Sequence, residues 1–246
     1  MKIYIEDLIS NSNSKLLSAS LLADNSDYSS AISLLVTAFE EKTKAVVLQF
    51  LDLGYKLVDN IKDLDYIFKH HDGRHYIGYL IDCVTEIVYD CKDLLNRLIN
   101  DQKFVEEILT LKVNSKKEEL LLLWINQKID SFINKIEFYQ NIEKTRQNGL
   151  YIDVLTKGKT RKKITKKDFD FVKNKLNNVH LLSQFLLEIK NNTDKKIIDS
   201  LTVSRNNVIE KKIPTHISSS ILLIKKERNK TFNEIRKSLI SFKNDI

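Results

Sequence analysis

Along most of this chain, apolar residues return every three or four positions, the spacing that lines one face of an α-helix. The first such stretch runs from about Ile5 to Ala23 and ends at the polar break Asp24-Asn25-Ser26. Asp27 is placed to cap a second helix, whose apolar set is Ala31, Leu34, Leu35, Ala38, Ala45 and Leu48, and which should stop near Gly54. Tyr55 to Lys69 reads as a short helix or as irregular structure. A long helix is expected from about His75 to Leu111, its inner face built by residues such as Ile77, Leu80, Ile81, Val84, Ile87 and Val88. Ser115 with Glu118 makes a capping box for a helix to about Ile142. After an irregular stretch, Thr165 and Asp168 cap a further helix to about Lys190, and Pro214 suits the first turn of a last one.

Composition strengthens this picture. One proline and five glycines in 246 residues leave few of the breakers that hairpins and tight strand–helix turns require. The pattern predicts an all-α chain: an antiparallel four-helix bundle over residues 1–155, with a basic helical extension, 156–246, packing on it. Apolar runs such as Leu120 to Ile125 are far too short to span a bilayer, and the acids Glu6 and Asp7 interrupt any leader-like pattern at the start. Cys83 and Cys91 stand about two helical turns apart, too far for a disulfide. Reduced core thiols in a cytoplasmic protein are therefore expected.

Charge divides the chain. Residues 1–155 carry 18 Lys and Arg against 24 Asp and Glu, a balance of −6, whereas residues 156–246 carry 22 against 9, a balance of +13. The basic excess begins at KGKTRKKITKK, where Lys157, Lys159, Arg161, Lys162, Lys163, Lys166 and Lys167 make seven charges in eleven residues. Such a run suits nucleic-acid phosphates or an acidic partner, and equally a solvated helical surface.

Three segments could carry chemistry. In "AFEEKTKA", Glu40 and Glu41 both lie within one helical turn of Lys44, so either acid can pair with it. By helical angle Glu40 and Lys44 point away from the apolar stripe, while Lys42 falls near its middle, where a charge is costly without a partner. "FKHHDGRHYIG" holds three of the five histidines. His71 and His75 are spaced i, i+4, as metal-binding pairs on helices are, although Gly73 between them argues against a continuous helix and no cysteine cluster supplies further ligands. Alternatively, the stretch handles phosphate, with a histidine exchanging protons near neutrality and Arg74 gripping the anion; or it is a polar helix start. In "EKTRQNGLYIDV", Arg146, Tyr151 and Asp153 surround a glycine that should break the helix. Phosphate-binding glycine loops, nucleophile elbows and dinucleotide fingerprints are absent.

Together, "AFEEKTKA", "KHHDGRH" and "RQNGLYIDV" resemble the AbiV family of bacterial abortive-infection proteins, within the HEPN superfamily of four-helix, nucleotide-associated domains. The resemblance spans roughly residues 10–190 and implies antiphage defence in the cytoplasm, dimerisation, and activation by a phage protein. It implies action on RNA or the translation machinery; Glu40, Glu41, Lys44, His71, Arg74, His75, Arg146, Tyr151 and Asp153 are the candidate site residues, and no metal or other cofactor is expected. One feature departs from the superfamily's ribonucleases, which carry an arginine, four to six residues, then a histidine. No arginine here has a histidine at that spacing; Arg146 is followed by six residues and then Asp153, a poor acid at neutral pH. Either the histidines of the 70–75 stretch replace the missing imidazole, or the protein acts by binding through its basic extension.

Overall fold

The computed structural model describes residues 2–100, 116–150, 164–191 and 195–244. These form eight helices in chain order: α1 (Lys2–Asp24), α2 (Tyr28–Asp52), α3 (Ile61–Lys69), α4 (His71–Asn100), α5 (Lys116–Leu150), α6 (Lys166–Asn191), α7 (Lys195–Glu210) and α8 (Ile213–Asn244). No strand occurs among the described residues. The all-α expectation therefore holds.

Helix boundaries follow local chemistry. The Asp27 carboxylate accepts the Ser30 amide to start α2. Thr165 and Asp168 exchange hydrogen bonds at the start of α6. The turn after α2 passes through Gly54 at φ +84°, a backbone conformation that side chains with a Cβ rarely adopt. Last in order, α8 kinks at Glu227, whose φ of −151° and ψ of 89° are not helical.

Helix α2 is the centre of the molecule. It packs against α1, α4, α5 and α6, and so it is buried around most of its circumference rather than along one stripe. Phe39, Tyr139 and Phe232 from α2, α5 and α8 are fully buried in one continuous core. This position corrects one expectation: Glu40, placed by helical angle on an outward face, is only 3% exposed, because α4 covers that face.

Two further corrections concern glycines. Helix α4 begins at His71 and runs through Gly73 without a break. Gly73 has a packing role, since a Cβ there would stand 3.0 Å from the Tyr66 ring and 3.1 Å from the Ile67 backbone. Helix α5 likewise continues past Ile142 to Leu150, so Arg146 sits within a helix and not on a glycine-broken loop. Helix α7 was not anticipated at all. Ser115, the expected cap of α5, lies outside the described residues, as do Tyr151, Asp153, Lys157, Lys159, Arg161, Lys162 and Lys163.

Candidate active site

The site grows from one close approach. Gly78 on α4 faces Phe39 on α2, and a Cβ at Gly78 would come within 2.1 Å of that ring. The absent side chain lets the two helices draw together beside Glu40, the next residue along α2. The first turn of α4 then presents His71, Arg74 and His75 to the Glu40 carboxylate, since residues three and four apart share a helical face.

Glu40 Oε1 lies 2.7 Å from His71 Nδ1 and 2.8 Å from His75 Nε2. Arg74 donates to Glu40 Oε2 at 3.2 Å and to the Phe68 carbonyl at 2.8 Å, which ties α4 to the end of α3. His75 is fully buried and Arg74 nearly so, whereas the His71 side chain is 43% exposed. Burial alone would raise the Glu40 carboxyl above its ordinary range. Hydrogen bonds from both histidines, with the charges of His75 and Arg74, outweigh it and hold the group ionised far below that range.

One contact in this cluster cannot be satisfied together with its neighbour. Arg74 Nη2 stands 2.8 Å from His71 Nδ1, the same atom that faces Glu40. With a proton on Nδ1, His71 donates to Glu40 and opposes an Arg74 N–H. With a lone pair there, it accepts from Arg74 and faces a carboxylate oxygen without a proton between them. His71 is thus a half-exposed imidazole whose proton is contested by two fixed partners.

Helix α5 adds the second layer. Donor atoms of Glu40, His71, His75 and Glu143 all lie within 4.8 Å of one another. Glu143 is held by Arg146 through Nε at 3.0 Å and Nη2 at 2.6 Å, and the Arg146 carbonyl accepts from Ser33 on α2 at 2.8 Å. Burial pushes the Glu143 carboxyl up; the bonds and charge of Arg146, with the charge of His71, bring it below its ordinary value. Arg146 and the histidine stretch are therefore joined in one cluster through Glu143. Glu143 was missed from the sequence, although its i, i+3 spacing to Arg146 was a legible signal.

Four ligand atoms at this separation could hold a divalent cation. However, Arg74 and Arg146 already balance the two carboxylates, and an ion would have to displace Arg74 from His71 Nδ1.

The remaining expected residues are placed differently. Lys44 pairs with Glu41 at 3.0 Å, each side chain 17% exposed, and neither bonds to the Glu40 cluster. His70 caps α3 and stacks on Tyr66, with ring centroids 4.5 Å apart. Lys166 and Lys167 are exposed at the start of α6.

With this geometry in view, the comparison that decides the family is direct: the AbiV family model of the HEPN class matches residues 1–182. The chain belongs to the AbiV family. The match takes in α1 to α5 and most of α6, hence every helix around the Glu40 cluster. No curated protein and no solved structure matches the chain. None of the helices among the described residues is long and apolar enough to cross a membrane.

Proposed function

We propose that this AbiV-family chain is an antiphage abortive-infection effector that cleaves RNA without a metal, using His71 as its proton-transfer group. The observation that carries the reading is the contested proton of His71, on an imidazole that is both accessible and fixed by Glu40 and Arg74. In the reaction, His71 takes the proton of a ribose 2′-hydroxyl as that oxygen attacks phosphorus. The bond from phosphorus to the 5′-oxygen breaks, a 2′,3′-cyclic phosphate forms, and the leaving oxygen takes a proton from water. Arg146 exchanges its Glu143 partner for the phosphate and stabilises the developing charge. Glu40, Arg74 and His75 hold the imidazole in place. The resemblance also points to a dimer and to a phage-encoded trigger, which would govern access to the cleft.

The test is incubation of purified protein with total RNA in EDTA. Cleavage by wild type, lost in His71→Ala and Arg146→Ala proteins that melt normally, is the expected result. Intact RNA with every protein would instead favour the second reading, a non-catalytic module that sequesters nucleic acid through its basic extension. That reading draws on the +13 balance of residues 156–246 and the exposure of Lys166 and Lys167.

A further inference from the structure

On the opposite side of α2 lies a buried cation with no counterion among the described residues. Lys42 is two residues from Glu40, about 200° around the helix, so it faces α1 and α6 instead of α4. It is 4% exposed, and among the described residues its hydrogen-bond partner is the neutral Asn13 Oδ1, at 3.1 Å. No carboxylate pairs with it among the described residues, although every other deeply buried ammonium or guanidinium described, Lys135 and Arg74, has one. Burying an uncompensated charge is costly. A core position on the central helix would ordinarily be filled by a leucine.

Lys42 lines a cavity of about 230 Å³ between α1 and α6. Its rim carries a second cation, the exposed Lys173, whose ammonium lies 5.8 Å from the Phe169 ring centroid, and the donor-bearing side chains of Ser20, Asn177 and Gln184. The floor is apolar, formed by Leu16, Leu35 and Leu176. His180 is the other titratable group facing the space, and burial together with the Lys42 charge pushes its pKa down to about 4, leaving it neutral. No acidic side chain lines the cavity. Two positive charges, several hydrogen-bond donors and a greasy floor match a small dianion with an apolar body. The volume corresponds to roughly eight waters at ~30 Å³ each, too small for a nucleotide and adequate for a compact monoester.

We propose that this cavity is a binding site for a small phosphate monoester, with Lys42 and Lys173 taking the phosphate and the three leucines the organic group. The site is separate from the Glu40 cluster and does not depend on the reading of that cluster. Burial alone lowers the Lys42 pKa to about 8, so an arriving dianion should pull a proton onto the amine when the solution stands near that pH.

Calorimetric titration of the full chain with phenyl phosphate tests this. Wild type should bind one equivalent saturably, and Lys42→Met should bind at least tenfold more weakly, while Lys226→Met, at an exposed position outside the cavity, should match wild type. At pH 8, where the ligand is already a dianion, titrations in buffers of different ionisation enthalpy should show uptake of about half a proton by wild type. The uptake reads Lys42 in the unaltered protein, so the test survives even if Lys42→Met folds poorly. Absence of saturable binding to wild type, equal binding by a folded Lys42→Met, or binding without proton uptake would overturn the proposal. Inorganic phosphate binding as tightly as phenyl phosphate would overturn the assignment of a monoester.

Discussion

Helices α4 and α5 meet twice in polar contact. At the start of α4, His71, Arg74 and His75 gather on Glu40 beside Glu143 and Arg146. Two turns on, Asp82, Glu86 and Asp90 meet Lys128 and Lys135. Lys135 reaches Asp82 at 2.5 Å and Glu86 at 2.8 Å, while Lys128 reaches Glu86 at 2.7 Å and Asp90 at 2.6 Å. Tyr139 donates to the second Asp82 oxygen, while Asn178, Ser131 and Trp124 add donors to the Asp82, Glu86 and Asp90 oxygens that the lysines also reach. In this second network every donor faces an acceptor, and pairing outweighs burial to hold the Glu86 carboxyl below and the Lys128 and Lys135 amines above their ordinary values. In the first, one nitrogen serves two incompatible partners, and its ring opens to solvent. A satisfied network fixes how two helices pack; a network with one contested proton can also exchange it. Chemistry is therefore expected at the first and structure at the second.

The sharpest way to break this contrast is to exchange the phenotypes. Lys135→Ala leaves Asp82 and Glu86 without their buried cation and should cost about 3–5 kcal/mol, read by urea denaturation. His71→Ala removes a half-exposed ring and should cost less than about 1 kcal/mol, while RNA cleavage falls about 10²–10⁴-fold. If His71→Ala unfolds the protein, or cleaves RNA at the wild-type rate, the division of roles between the two clusters is wrong.

Gly78→Ala probes what brings the first cluster together. A methyl group directed at the Phe39 ring must spread α2 from α4, so a loss of about 1–3 kcal/mol is expected in thermal or urea melts. Cleavage should fall with it, because Glu40 leaves His71 and His75. The same substitution at Gly73, where a Cβ would stand 3.0 Å from Tyr66 and 3.1 Å from the Ile67 backbone against 2.1 Å at Gly78, should disturb cleavage less.

The pH dependence of stability should rise twice. Burial would raise the Glu86 carboxyl, but its bonds to Lys128, Lys135 and Ser131 lower it to about 2 from an ordinary 4.5. A depressed carboxylate pKa stabilises the fold above the ordinary value, and that contribution is lost as pH falls from 4.5 toward 2. Lys42 behaves oppositely in origin, since burial depresses an ammonium from 10.5 to about 8. Between those values the unfolded chain binds the extra proton, so stability should climb with pH from about 8 to 10.5. Urea midpoints measured across both windows should show both rises, and Lys42→Met should remove only the alkaline one.

The smallest effect is expected at Lys44. Its i, i+3 pair with Glu41 is a helix-surface bridge, so Lys44→Ala should change stability by about 0.5 kcal/mol or less. A loss of defence in that folded variant would show that the cleft extends along α2 toward Lys44.

Periodicity and caps made much of the fold legible. Asp27, the Thr165–Asp168 pair and Pro214 each marked a helix start, because capping is a local exchange of hydrogen bonds that a few adjacent residues settle by themselves. The scarcity of glycine and proline settled the all-α class for the same reason. Local rules failed at Gly73 and Gly149, where conformational freedom suggested breaks. At Gly73 the helix continues because packing on α3 offsets the roughly 1 kcal/mol that a glycine withdraws from an isolated helix. For the candidate site, sequence singled out His71, Arg74, His75, Glu40 and Arg146 by residue type and spacing. It could not say that they meet, since Glu40 and His75 lie 35 residues apart and helical angle pointed Glu40 outward. Only the packing of four helices around α2, and the missing side chain at Gly78, turns that outward face into a buried one. Burial then converts five ordinary polar residues into a cluster with a proton to exchange, because the strength of each contact depends on the water that tertiary structure removes.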